Sequence, residues 1–212
     1  MTPYPHEIQR NIKEHEWRKV AEQVQKSKTL TPTGMLAIIM EIQHLQNEHE
    51  KEREKANKNF VKGPPELKGN LRALQEVQAK GTKLLGTPYE LWAAILSRLS
   101  HEDMPYREEN HAHSALGLIA LALEHPNRIS LEQIPAVLKR LHKSPAYKTR
   151  HEVDPEFANK LLYLAGKVQT HPRLYGNENN PEFESGRPIV EPVDRLTADI
   201  KRDLKAGKHP IK

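Results

Sequence analysis

The sequence predicts an all-α fold, composed of an N-terminal helical hairpin, a compact multi-helix bundle, and a C-terminal loop with a short terminal helix. Apolar residues recur three and four positions apart along most of the chain, which is the spacing of one helix face. Proline-containing start signals precede several of these stripes, and no alternation of apolar and polar residues extends beyond a few positions. These observations favour helices over strands throughout.

Composition narrows the class of protein. The 212 residues include 33 Lys and Arg against 28 Asp and Glu, a formal net charge of +5, and 36% of them are hydrophobic. This length suffices for a buried core, and charges of both signs argue against wholesale disorder. Because cysteine is absent, disulfide scaffolds, thiolate nucleophiles and cysteine-ligated zinc are excluded. The longest apolar run, residues 115–123, is too short to span a bilayer, so we expect a soluble, cytoplasmic protein.

Residues 1–62 are predicted to form the helical hairpin, and we expect this hairpin to be an arm. Residues 5–28 carry one apolar stripe, and Thr31-Pro32 starts a second stripe that ends at Leu45. Beyond Leu45, opposite charges three or four positions apart continue toward residue 60, and such pairs support a solvated helix. The second helix is therefore expected to extend out of the core.

Gly63-Pro64-Pro65 predicts a domain boundary, because two adjacent prolines do not continue a helix. After this boundary we expect a helical core domain over residues 66–170. Its helices are predicted on five apolar stripes, at residues 67–77, 91–99, 112–123, 134–141 and 157–168. The third stripe is apolar on most sides, so its helix is expected to be the most buried.

Three motifs predict where helices of this core begin. Two are capping boxes and one is an aspartate cap followed by proline: Thr87-Pro88-Tyr89-Glu90, Ser130-Leu131-Glu132-Gln133 and Asp154-Pro155-Glu156. The last part of the chain, residues 171–212, is predicted to contain an irregular Pro-, Gly- and Asn-rich loop up to Pro192. A short helix then carries apolar residues from Val193 to Leu204 and stops near Gly207.

Histidines and carboxylates form one dense group that could act as a metal site. Twelve histidines are scattered along the chain, and this distribution favours a general enrichment in histidine over a single site. The densest group offers a low-ranking alternative, a metal-dependent hydrolase with the candidate ligands His101, Glu109, His111 and His113. Glu109 and His113 would share a helix face, whereas His111 and His113 would diverge by about 200°. The other interpretation is a polar helix N-terminus, where acidic side chains complement the helix dipole.

Other motifs of catalysis are absent from the sequence. No metalloprotease His-Glu-x-x-His motif, no Gly-x-Ser-x-Gly elbow and no phosphate-binding Gly-rich loop occurs. We therefore expect no cofactor. Enzymatic activity stays open, with the balance of motifs against it.

A basic patch provides the main alternative function, nucleic-acid or anion binding. The segment between Glu132 and Glu152 contains five positive residues and no negative one: Lys139, Arg140, Lys143, Lys148 and Arg150. Tyr147 and two histidines lie among them, and aromatic side chains interleaved with cations are typical of nucleic-acid contacts. Acidic phospholipid is a further possible partner of the same patch. The other interpretation is a solvated helix face followed by a loop.

One stretch resembles a known class of protein. Its residues are Leu84-Leu85-Gly86-Thr87-Pro88-Tyr89-Glu90-Leu91-Trp92, Glu109-Asn110-His111-Ala112, His125-Pro126 and Ile129-Ser130-Leu131. It resembles small all-helical modules in translocated effectors of intracellular bacteria such as Legionella and Coxiella. The resemblance covers residues 84–143, under a third of the chain, and rests on packing and capping residues, so it implies no activity. The last twenty residues depart from those proteins because they lack a Glu-rich tail.

The function expected from the sequence is a noncatalytic helical protein–protein interaction module. The resemblance implies a bacterial effector or adaptor whose partner is a protein of the host cell, in whose cytoplasm it would act. If the chain does not belong with these effectors, the partner would be a subunit of a cellular complex. A protein partner is expected first and nucleic acid second.

Overall fold

The computed structural model describes residues 3–60, 88–124, 131–149, 152–171 and 187–206. In chain order its helices are α1 (His6–Lys13), α2 (Trp17–Lys26), α3 (Pro32–Phe60), α4 (Pro88–Ser100), α5 (Glu109–Glu124), α6 (Ile134–His142), α7 (Pro155–Gln169) and α8 (Arg187–Ala206). Two strands of two residues each, β1 (Lys148–Thr149) and β2 (Glu152–Val153), pair antiparallel between α6 and α7. The prediction of an all-α protein is confirmed, and this small strand pair is an addition to it.

Helices α4 and α5 lie in the middle of the helical packing. Helix α4 packs against α2, α5 and α6, and helix α5 packs against α3, α4 and α7. Helix α8 packs on α6 and α7. The expectation that α5 is the most buried helix is wrong, because α4 buries the larger fraction of its residues. Seven of the 13 residues of α4 are buried, against seven of the 16 residues of α5. Helix α4 buries Arg98 in addition to its apolar residues.

Two helices replace the single apolar stripe predicted over residues 5–28. Helix α1 ends where His15 adopts a left-handed backbone conformation, with φ of 57°. The N–H of Glu16 donates to the carbonyl of Asn11 at 2.8 Å, which is the long bond of a Schellman-type helix end. Apolar residues of α1, α2 and α3 belong to the same hydrophobic cluster as those of the later helices.

Helix α3 extends beyond the core, as the sequence predicts. Among the side chains of α3 that the structure describes, Leu45 is the last apolar one that packs against the core, and residues 51–55 are all exposed. Lys51 and Glu48 lie 3.2 Å apart, and Arg53 and Glu50 lie 3.5 Å apart. These exposed pairs stabilise a helix by only a few tenths of a kcal/mol each, about 0.2–0.5. The outer part of α3 is therefore a solvated, charged helix.

The predicted helix starts have mixed outcomes. The Asp154 cap is confirmed, since its Oδ1 accepts a hydrogen bond of 2.8 Å from the N–H of Phe157. Helix α6 begins at Ile134, later than the predicted capping box, and the side chain of Gln133 accepts a bond of 2.9 Å from Ser100 Oγ and makes no capping bond to its own helix. The predicted break at residues 63–65, the stripe at 67–77, Thr87 and Ser130 lie outside the described residues.

The C-terminal helix is longer than predicted. Helix α8 begins at Arg187, so the predicted irregular segment up to Pro192 is wrong over its last residues, and residues 172–186 lie outside the described part. Pro188 is tolerated in the first turn, where its missing N–H has no partner within the helix, and Pro192 removes one N–H close to that same end. Val193 and Ile200 are fully buried. Among the described residues, none of the helices has the length and apolarity needed to cross a membrane.

We predict that Gly34→Ala destabilises the protein. A Cβ at Gly34 would lie 2.7 Å from the carbonyl oxygen of Pro3 and 2.9 Å from Leu30 Cδ1, so the N-terminal segment would have to move off α3. The expected loss in the free energy of unfolding is about 1–3 kcal/mol, measured by urea denaturation. Gly166→Ala is the matched control, because nothing lies within 4 Å of its added Cβ, and it should gain up to about 1 kcal/mol from helix propensity. A Gly34→Ala variant as stable as this control would contradict the close approach.

Candidate functional site

The candidate site is a groove of about 810 Å³ between the loop that joins α4 to α5 and the second half of α6. We call it the basic groove. The residues that matter for its chemistry are Glu102, Met104, Pro105, Arg107, Ala136, Lys139, Lys143 and Pro145. Its volume lies within the range of about 300–1,000 Å³ that is usual for ligand pockets. The residues of its lining combine cations with apolar side chains.

Arg140 holds the loop that forms one side of the groove. Its guanidinium donates hydrogen bonds to the carbonyl oxygens of His101, of Glu102 at 3.0 Å and of Met104 at 2.8 Å. Its Cζ atom also lies 5.2 Å from the centroid of the Tyr106 ring. These contacts occupy the fork of donors that makes arginine a strong ligand for anions. Arg140 therefore acts on the loop of its own chain.

Arg98 fixes the same loop from the other side. This residue of α4 is only 5% exposed, and its Nε donates to the carbonyl of Ser27 at 2.9 Å. Its Nη1 donates to Asp103 Oδ1, which also lies 2.7 Å from Nδ1 of His101. The hydrogen bond from Arg98, followed by the one from His101, holds the pKa of Asp103 below its ordinary value. The loop between α4 and α5 is thereby tied to the turn between α2 and α3.

Three cations of the basic groove are available to a ligand. Arg107, Lys139 and Lys143 are exposed, and none of them has a hydrogen-bond or ion-pair partner among the described residues. Glu102 is exposed as well, and its carboxylate lacks a partner in the same described part of the chain. The free charges of the groove are thus three positive and one negative. An anionic ligand is the complement of this arrangement.

The predicted basic patch is divided by the structure. Lys139, Arg140 and Lys143 all line the basic groove, but the guanidinium of Arg140 is engaged by the carbonyls of the loop. Lys148 lies exposed at the start of β1 and does not line the groove, and Arg150 is outside the described residues.

Arg107 is a groove residue that the sequence reasoning missed. It lies in the loop just before α5, next to Glu108 and Glu109, so the local charge pattern gives no sign that it belongs to a basic surface. The packing of the loop against α6 brings it into the lining of the same groove as Lys139. Only knowledge of that packing could have identified it.

Tyr147, the aromatic residue of the predicted patch, is buried and joined to α8. It is 2% exposed, and its hydroxyl donates to Asp203 Oδ2 at 2.9 Å. Nε2 of His142 lies 3.3 Å from the same oxygen, and the two rings have centroids 4.4 Å apart. Burial raises the pKa of Tyr147 above its ordinary range, and the bond to Asp203 adds to this shift. Tyr147 therefore anchors α8 and presents no face to a ligand.

The four candidate metal ligands do not form a common site. Each histidine has a separate carboxylate near it: His101 has Asp103 at 2.7 Å, His111 has Glu108 at 3.4 Å, and His113 has Glu109 at 3.6 Å. Within the described part of the chain, no group of three or more histidines and carboxylates could hold a metal ion. The reason is the helical rotation between positions 111 and 113, together with the loop that separates His101 from both.

Comparison with known proteins provides no relative. The chain matches no protein-family model, no curated protein and no solved structure. The functional argument therefore rests on the residues of the chain itself.

We predict that Arg140→Ala loosens the loop between α4 and α5. Removing three hydrogen bonds from a charged donor should lower the free energy of unfolding by about 1–3 kcal/mol, measured by urea denaturation. Amide hydrogen exchange in residues 101–106 should become faster. Lys139→Ala is the matched control on the preceding residue and should change stability by less than about 0.5 kcal/mol. Equal stability of the two variants would show that the loop does not depend on Arg140.

We predict that acid weakens the link between Asp103 and Arg98. Because the pKa of Asp103 is lowered in the folded state, its contribution to stability is present above the ordinary value of 3.8 and disappears as the pH falls through the lower folded-state value. Wild type should therefore be more stable than Asp103→Asn at neutral pH, and the difference should shrink below about pH 4. Urea denaturation of both proteins over this range measures it. A difference that stays constant with pH would argue against the ion pair.

Proposed function

We propose that this protein is a noncatalytic helical module that binds a protein partner through the basic groove. The observation that carries the proposal is a set of three cations without a partner in the described part of the chain, Arg107, Lys139 and Lys143, around a groove whose wall is held by two arginines. The partner contributes an acidic segment. In this proposal the imidazoles and carboxylates serve the fold and its surface and carry no reaction.

The loop between α4 and α5 is held in place before any ligand binds, and this supports a binding role. Arg140 and Arg98 make their contacts within the chain, so a ligand would meet a loop that is already ordered. A surface that is ordered in advance avoids part of the entropy loss of association. Exposed cations also accelerate the encounter with an acidic partner, in a way that added salt weakens.

A protein partner fits this groove better than nucleic acid. Tyr106 and Tyr147 are 6% and 2% exposed, so neither ring is available to stack on a base. The guanidinium of Arg140, the one arginine of the predicted patch that lies among the described residues, is engaged by loop carbonyls. Nucleic-acid binding through Lys139, Lys143 and Lys148 remains the alternative function, supported by their exposure alone.

The outer part of α3 is a second surface for the same partner. It extends past Leu45 as an exposed helix with charges of both signs, which suits polar contacts at the edge of an interface. We propose two settings for the complex. If the chain is a translocated effector, as the resemblance of residues 84–143 implies, the partner is a protein in the cytoplasm of the host. Otherwise the partner is a subunit of a cellular complex.

Charge reversal in the groove tests the proposal. Fluorescence anisotropy of labelled poly-glutamate, a DNA duplex and single-stranded RNA measures binding to the full chain at low and at physiological salt. We expect poly-glutamate to bind, and Lys139→Glu/Lys143→Glu to weaken this binding about tenfold or more, which corresponds to about 1.4 kcal/mol.

The control for this experiment is Lys13→Glu/Lys205→Glu. These two lysines also lie in the last turns of helices, do not line the groove, and give the same net charge as the groove variant when reversed. The control should bind poly-glutamate nearly as well as wild type. Equal weakening in both variants, or preferential binding of DNA or RNA, would overturn the proposed function.

A further inference from the structure

The basic groove contains apolar surface beside its cations. Pro105 comes from the loop between α4 and α5, and Ala136 and Pro145 come from α6 and the turn after it, whereas Met104 of the same loop is only 2% exposed. Ala136 and Pro145 are exposed, and Pro105 is partly exposed. Apolar surface that lines a groove gains free energy when a ligand's apolar side chain covers it. A purely charged ligand would leave this part of the groove uncovered.

The free charges of the groove are few. Lys139 and Lys143 lie four positions apart at the end of α6, and Arg107 lies on the opposite element, just before α5. Three cations match a small number of carboxylates. The groove volume of about 810 Å³ likewise holds a short segment and not a long one.

Glu102 limits how much negative charge the groove accepts. Its exposed carboxylate lines the groove and lacks a partner among the described residues, whereas that of Asp103 forms an ion pair with Arg98 and lies 2.7 Å from Nδ1 of His101. A ligand with negative charge at every position would be repelled by Glu102. A ligand with an uncharged side chain between its carboxylates would reduce this repulsion.

From these three observations, and on the basis of the proposed function, we infer that the ligand is a short acidic segment of a protein with an aliphatic side chain between its carboxylates. The carboxylates pair with Lys139, Lys143 and Arg107. The aliphatic side chain covers Ala136 and its apolar neighbours. Glu102 acts as a specificity-determining residue that disfavours ligands of higher charge density.

Two peptides test the inference on the full chain. Fluorescence anisotropy compares labelled Glu-Glu-Leu-Glu-Glu with Glu-Glu-Ser-Glu-Glu, which has the same charge. The leucine peptide should bind about tenfold more tightly, because its side chain is transferred from water to the apolar lining. Ala136→Gln should remove most of that preference, since it places a polar amide in the lining while keeping a good helix former in α6.

A substitution of Glu102 gives the second readout. Glu102→Gln should bind both peptides about two- to threefold more tightly, and it should bind poly-glutamate more tightly by a larger factor because that polymer is charged at every position. Far-ultraviolet circular dichroism confirms the fold of each variant, and all substituted residues are exposed.

The outcomes separate this inference from the proposed function. Equal binding of the leucine and serine peptides, with loss of both in Lys139→Glu/Lys143→Glu, would overturn the inference and leave the proposed function intact. No binding of either peptide together with binding of DNA or RNA would overturn both. No change in any affinity on Glu102→Gln would overturn the role of Glu102.

Discussion

A buried guanidinium determines the position of the loop on which the candidate site depends. Arg98 carries a charge inside the protein at 5% exposure, and a charge so placed is destabilising unless it is paired and hydrogen-bonded. Its partners are the carbonyl of Ser27 and the carboxylate of Asp103, which belong to two different connections of the chain. If either connection moved away, Arg98 would lose a partner in the interior. The loop between α4 and α5 is therefore fixed by the cost of leaving this charge unpaired.

The end of α4 explains why a second arginine comes to the same place. The last carbonyls of a helix and those just after it lack partners within the helix, and they carry the negative end of the helix dipole. Arg140 of the neighbouring α6 donates to the carbonyls that follow Ser100, and Tyr106 donates its hydroxyl to the carbonyl of Leu99 at 2.7 Å. The loop needs these donors whether or not a ligand binds. The fold itself therefore orders this loop, and the loop forms one side of the basic groove.

Much of the fold could be predicted from the sequence, because apolar spacing is a local signal. The stripes ending at Leu45 and beginning at Ile134 and Phe157 all lie on helices of the structure. The end of α1 could not be predicted, since a histidine in the left-handed conformation leaves no signal such as glycine would. The site was predictable only in part, because neighbouring Lys139 and Arg140 look equivalent in the sequence but differ by about 100° around α6. Both line the groove, but the guanidinium of Arg140 is engaged by the loop carbonyls, whereas Lys139 has no partner among the described residues.

The charged residues of this region fall into two groups, those that support the fold and those that are open to a ligand. Charges that the fold uses, such as Arg98, Arg140 and Asp103, have partners within the chain, while Lys139, Lys143 and Arg107 have none among the described residues. Unpartnered exposed lysines contribute little to stability, so their charges can be changed without unfolding the protein. Binding energy and folding energy therefore reside in different residues of one groove. That separation allows affinity for the proposed acidic partner to be measured independently of the stability of the helical scaffold.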